Sequence, residues 1–226
     1  MKHADGDWRW LEVTVSNLLN DPSVGGIVGN YRDITERKVL EGQLAHQASH
    51  DALTDLANRV LFRDRLQHAL ARGVRHGEPT SILFLDLDDF KTVNDSLGHS
   101  AGDEMLVAVA ERLSGCLRKS DMAARFGGDE FAVLLEDTGR KEAEVTAKRI
   151  LRTLAVPVDV QGRQLRAEAS IGIVVAEGGR GTQEELLRNA DVAMYAAKGG
   201  GKARYAVFGE DGRVRVGSAG EQTTAG

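Results

Sequence analysis

From Arg125 to Phe131 the chain reads Arg-Phe-Gly-Gly-Asp-Glu-Phe, which sets two glycines and two adjacent carboxylates between short strand-like segments. Asp121-Met-Ala-Ala-Arg125 stands before the pair and Phe131-Ala-Val-Leu-Leu135 after it, so the run predicts a β-hairpin with Gly127 and Gly128 in its turn. Glycines carry no Cβ and tolerate positive φ, which lets the backbone lie close against a ligand. Asp129 and Glu130 carry like charges that repel. A multivalent cation compensates such a pair, and a phosphorylated substrate brings one with it. Taken alone, the turn is equally well read as a solvated Asp-Glu pair at the surface.

A second acidic cluster weakens that plain reading. Ser81-Ile-Leu-Phe-Leu is a continuous apolar run, the mark of a central strand covered on both faces, and it ends in Asp86, Asp88 and Asp89. Strand alternation puts Asp86 and Asp88 on one face, as a pair of hard oxygen ligands suited to magnesium. Lys91 follows and can neutralise phosphate as a point charge. Farther on, Leu106, Val109, Leu113 and Leu117 recur at helical spacing, which places Gly102-Asp103 at a helix start. Asp103 alone is a dipole-favoured helix acid, and Asn94 alone a turn residue. Together they offer an amide and a carboxylate able to read a base edge, the carboxylate accepting from guanine's N1 and exocyclic amine.

Jointly these motifs, Asp86-x-Asp88-x-Phe90-Lys91-x-x-Asn94-Asp95-x-x-Gly98-His99-x-x-Gly102-Asp103 and then Gly127-Gly128-Asp129-Glu130-Phe131, resemble the GGDEF family of diguanylate cyclases. The resemblance begins at His50-Asp-Ala-Leu-Thr54-Asp-Leu-Ala-Asn58-Arg59, includes Ala169 to Val175 and Ala190 to Lys198, and reaches Phe208. It implies an α/β (α+β) domain, a central mixed sheet flanked by helices like that of nucleotidyl cyclases. It implies condensation of two GTP into cyclic di-GMP and two pyrophosphates, across a homodimer, with magnesium or manganese. On matching positions, Asp86, the Leu87 carbonyl, Asp129 and Glu130 would hold the cation, with Asp129 and Glu130 catalytic. Phe90, Lys91, Asn94, His99, Asp103, Gly127, Gly128, Lys198 and Lys202 would contact GTP. Arg118 and Asp121 match the family's R-x-x-D site, where the product inhibits. Arg149 falls where some members carry a further product-contacting arginine, but a solvated helix residue is the better reading. Lys202-Ala203 departs from the family's usual Arg-Asn, keeping the charge but losing the bidentate fork. Asp55 and Ala57 replace a common Gly and Pro. The rival reading is a catalytically silent module that binds GTP or cyclic di-GMP.

The chain's 226 residues suffice for one full domain and a small extra element, and 42% apolar residues suffice for its core. A net charge of −5 gives no basic footprint, which argues against nucleic acid. No run is long enough for a direct membrane segment, the start lacks a signal-peptide core, and a lone Cys116 allows no intrachain disulfide; a cytoplasmic protein is expected. Residues 1–34 read as two strands around the turn Asn20-Asp-Pro-Ser23 and resemble the C-terminal strands of a truncated PAS domain. Residues 35–49 read as a signalling or linker helix with Leu40 and Leu44 on one stripe. Residues 50–208 form the expected cyclase domain, and the Gly-, Ser- and Thr-rich residues 209–226 a disordered tail.

Overall fold

The structure is a computed structural model that describes residues 1–2 and 6–218. The chain divides into two compact units, Met1–Ala48 and Ser49–Gly226. In the first, β1 (Leu11–Leu18) and β2 (Gly26–Asp33) pair antiparallel from Leu11 opposite Asp33 to Leu18 opposite Gly26. Their turn is closed by Asp21, whose carbonyl accepts from Val24 and Gly25 and whose side chain accepts from Ser23. Alternation gives one polar face (Glu12, Thr14, Ser16, Asn30, Arg32) and one face with Val13, Val15, Ile27 and Tyr31, all exposed. Helix α1 (Thr35–Ser49) follows, its first amide satisfied by the Asp33 carboxylate at 2.9 Å. It buries no residue, and Leu40 and Leu44 are exposed.

The second unit is built on a seven-stranded mixed sheet in the order β11-β10-β9-β4-β6-β5-β3. Here β3 is Ala57–Asn58, β4 Thr80–Leu87, β5 Met122–Gly127, β6 Glu130–Leu135, β9 Ala169–Ala176, β10 Tyr205–Phe208 and β11 Val214–Gly217. Strand β4 is central and antiparallel to both β6 and β9, while β10 runs parallel to β9. Helices α2 (Arg59–His76), α3 (Phe90–Leu97), α4 (His99–Gly115), α5 (Arg140–Leu154) and α6 (Gln183–Gly199) flank it. A separate small hairpin joins β7 (Val158–Val160) to β8 (Arg163–Leu165).

Every residue of β4 is buried, and its alternation sorts the core into two layers. Leu83, Leu85 and Leu87 join Phe131, Val133 and Ile173 against α4 and α5. Ile82 and Phe84 join Ala132, Leu134 and Val174 against α2 and α6. Each fully buried Leu, Ile or Phe contributes about 1.5–3 kcal/mol relative to exposure. Helix α6 begins at a capping box between Thr182 and Glu185. It docks where β9 carries Gly172, whose missing Cβ would collide with Ala190 O and Met194 N.

The structure corrects several sequence expectations. The segment after Phe208, expected to be a disordered tail, forms β11 in an antiparallel ladder with β10; residues 219–226 lie outside the described residues. The turn at Asp211-Gly212 and the alternating Val214 and Val216 make a strand too short to register in a Gly-rich stretch. Helix α4 starts at His99 rather than Gly102, which moves Asp103 into its second turn. Strand β8 lies outside the central sheet. Among the described residues no helix is long and apolar enough to cross a membrane.

Candidate active site

The site is built where β4 meets the rim of the sheet. Asp86 lies opposite Glu130 of β6 on one side and Ser170 of β9 on the other. As an even-numbered position it faces the α6 layer, where Lys198 of the last helical turn brings Nζ within 2.6 Å of Asp86 Oδ1. The two form an ion pair by distance, but the ammonium is off the direction a hydrogen bond needs, so Oδ1 is buried without a directed donor. Burial pushes the Asp86 carboxyl up; Lys198 opposes that, and the charges of Asp129 and Asp88 add to it. Glu130 is raised too, by burial first and then by Asp86, Asp129 and Asp191.

The predicted hairpin is present. Gly127 (φ 144°) and Gly128 (φ 52°) occupy its turn, and the register shifts between Arg125 and Gly127. Leu87 N–H donates to Asp129 O at 3.2 Å, which fastens the turn to the end of β4. Arg125 donates to Gly128 O through Nε at 3.1 Å and Nη2 at 2.8 Å, and to Asp51 Oδ1 through Nη1 at 3.0 Å.

Asp88 does not join Asp86 as a ligand pair. Strand β4 ends at Leu87. Beyond it, Asp88 Oδ1 accepts from Ser170 Oγ at 2.8 Å and Oδ2 from Ala203 N at 3.0 Å, so both oxygens are committed to the scaffold. Lys202 is paired with exposed Asp89 at 2.7 Å.

Beside this rim, α3 and α4 pack tightly at Gly102, where a Cβ would collide with Asn94 Oδ1 and stand 3.1 Å from Phe90 Cζ. Asn94 therefore lies over the residue that precedes Asp103. Asp103 opens into a cleft of about 490 Å³ that Leu53, Ser100, Glu104, Val107 and Val158 also line. Phe90 is buried, whereas Lys91 and His99 are exposed. Arg118 and Asp121 line a different cleft of about 300 Å³ with His50, Asp55, Leu61 and Leu117; Asp121 Oδ2 accepts from Arg118 N at 3.0 Å. In helix α5, Arg149 donates to Thr146 of its own helix, at 3.4 Å.

The structure thus brings Asp86, Leu87, Asp129, Glu130 and Lys198 together, sets Asn94 and Asp103 on adjoining helices, and keeps Arg118 and Asp121 in a cleft of their own. The sequence reading missed Asp191, whose charge reaches Glu130, and the link from Arg125 to Asp51. Among the described residues no three His, Cys, Asp or Glu side chains form a closed cation cage. Magnesium commonly binds one or two carboxylates and completes its octahedron with water and phosphate oxygens. A buried carboxylate oxygen without a directed donor, beside a second carboxylate pushed toward protonation, fits such a cation.

Comparison with known proteins adds independent findings. The family model described as "Diguanylate cyclase, GGDEF domain" matches residues 48–204. The bifunctional diguanylate cyclase/cyclic di-GMP phosphodiesterase MucR of Pseudomonas aeruginosa is 42% identical over 166 residues, covering 74% of this chain and 24% of that protein. A solved structure of a truncated TpbB from the same organism, comprising only the GGDEF domain, is 42% identical with a TM-score of 0.66, covering 68% of this chain and 91% of that one. The coiled coil and GGDEF domain of DgcB from Caulobacter crescentus, solved with c-di-GMP, is 30% identical with a TM-score of 0.69, covering 76% and 90%. The chain spans 18–36% of the length of the curated relatives MucR, TpbB and DgcE of Escherichia coli.

Proposed function

The chain belongs to the GGDEF-domain family of diguanylate cyclases, and from that premise we propose that it condenses two GTP into cyclic di-GMP and releases two pyrophosphates. The observation that carries the proposal is Asp86 in register with Glu130, beside the Asp129 turn and the end of α6. Asp86, the Leu87 carbonyl and Asp129 would hold magnesium, with Glu130 at a second cation position; manganese would serve as well. Bound there, the cation supplies screening of the triphosphate and stabilises charge as the α-phosphorus is attacked.

The remaining roles belong to side chains. Asn94 and Asp103 would read the guanine edge, with His99 near the same pocket. Phe90 backbone, Lys91, Lys198 and Lys202 would meet the phosphates, Lys198 and Lys202 exchanging Asp86 and Asp89 for phosphate oxygens. Gly127 and Gly128 would let the turn backbone lie along the nucleotide. Asp129 would accept the proton of the ribose 3′-hydroxyl as that oxygen bonds to the α-phosphorus of the second GTP. The α–β phosphate bond breaks and pyrophosphate departs. Each chain holds one GTP, so two copies must face each other, and whatever brings them together sets the rate. Product bound at Arg118 and Asp121 would inhibit. These steps belong in the cytoplasm, where GTP is supplied.

Purified protein incubated with GTP and magnesium should yield cyclic di-GMP on chromatography. Retention of GTP without product at high protein concentration would support the silent module instead.

A further inference from the structure

Arg125 belongs neither to the carboxylate cluster nor to the base-reading helices, yet its side chain is only 12% exposed and three of its N–H groups are committed. Two converge on Gly128 O; the third reaches Asp51 Oδ1. Asp51 is itself held in a hydrogen-bonded turn. Its Oδ1 also accepts from Thr54 N at 3.0 Å and Thr54 Oγ1 at 2.7 Å, and its carbonyl accepts from Asp55 N at 2.9 Å. Burial pushes the Asp51 carboxyl up, but the Thr54 and Arg125 donors outweigh it and leave it below the ordinary value.

The turn between β5 and β6 needs outside support. Its two glycines, both at positive φ, permit close approach but leave the free backbone many alternatives. One tie is the bond from Leu87 N–H to Asp129 O. The other is the guanidinium, which grips the carbonyl just before Asp129. We propose that Arg125 and Asp51 are positioning residues: a brace that holds the glycine turn, and through it the Asp129 and Glu130 carboxylates, in one geometry. A lysine keeps the charge at this place but has no planar fork with which to serve Gly128 O and Asp51 together. The catalytic consequence rests on the cyclase reading; the brace itself does not.

Two measurements separate those dependencies. In the ligand-free full chain, Arg125→Lys and Asp51→Asn should each speed hydrogen exchange at the Leu87 amide about tenfold, as loss of a charge-assisted hydrogen bond implies. The Leu83 and Leu85 amides of the same strand should keep their protection, which shows that the variants are folded. Unchanged exchange at Leu87 in both variants overturns the brace, whatever the protein catalyses. In magnesium titrations of a fluorescent, non-hydrolysable GTP analogue, Arg125→Lys should need about tenfold more magnesium, while magnesium-free binding of the analogue stays as in the wild type. The double variant should need no more magnesium than Arg125→Lys alone, because the pair acts as a unit. A wild-type midpoint in Arg125→Lys, or additive effects, overturns the positioning role. If the wild-type chain does not bind the analogue at all, the cyclase reading fails and the exchange result decides the brace alone.

Discussion

Two of the described hairpins, β1–β2 and β5–β6, have opposite characters. Strands β1 and β2 pair without interruption over eight positions, yet Val13, Val15, Ile27 and Tyr31 on their apolar face are exposed. Strands β5 and β6 pair over five positions with a register shift, and Phe131–Leu135 are buried. Regularity and burial do not go together here. The irregular hairpin is flanked by β4 and β3, so neighbours on both sides offset a bulge and two left-handed glycines. Its turn also sets Asp129 and Glu130 where their charges reach Asp86. A ladder as even as that of β1 and β2 makes a better ribbon and a poorer site.

Four predictions, two of them with a matched control substitution, test that contrast. The largest effect is expected from Asp129→Asn, which should lower cyclic di-GMP formation by about a thousandfold; the matching change in the regular hairpin, Glu12→Gln, should leave the turnover of an assembled dimer unaltered. Activity within tenfold of wild type for Asp129→Asn would remove the turn from the chemistry. Next, Gly128→Ala forces a Cβ into φ 52° and should cost about 1–2 kcal/mol in a urea melt of the larger unit. Gly25→Ala carries the same strain at φ 56° but lies in the other unit, and should leave that melt in place.

A smaller effect, of opposite sign, is expected from Glu130→Gln without nucleotide or magnesium. Burial and the neighbouring acids raise Glu130 above its ordinary value of 4.5. The folded state therefore holds this proton more tightly than the unfolded chain, and stability falls as pH rises from the unfolded value through the folded one. At neutral pH the variant should melt above the wild type; the gain should vanish as pH drops below the ordinary glutamate range. A lower melting temperature at pH 7 would contradict the repulsion. Last, Tyr31→Ser on the exposed face should move the melting of the larger unit by no more than about 0.5 kcal/mol. A larger shift would mean that the regular hairpin is less independent than its compactness indicates.

Much of this was legible in the sequence, because it is written locally. The continuous apolar runs of β4 and β9 announce buried central strands, the glycine pair announces the turn, and the i, i+3, i+4 spacing announces α2, α4 and α6. Helix α3 escaped because Phe90–Leu97 spans only two turns, with Thr, Val, Asn, Asp and Ser among its residues, which have modest helix propensity. Asp86 and Asp88 look equivalent on an alternating strand. They diverge because Ser170, 82 residues away, and Ala203 take up Asp88. The bond between Arg125 and Asp51 spans 74 residues, and that between Lys198 and Asp86 joins the last helix to the central strand. Such partners are chosen by the closed sheet, and no window along the chain contains both.

The absent methyl at Gly172 has a mechanical consequence. With no side chain to cushion them, the α6 and β9 backbones rest directly on each other, and the helix meets a hard stop rather than a compressible layer. The root of Lys198, further along that helix, is therefore gauged by a single hydrogen atom on the sheet. Even an alanine there would lift the lever from its fulcrum and shorten the reach of its ammonium toward the strand's acidic end.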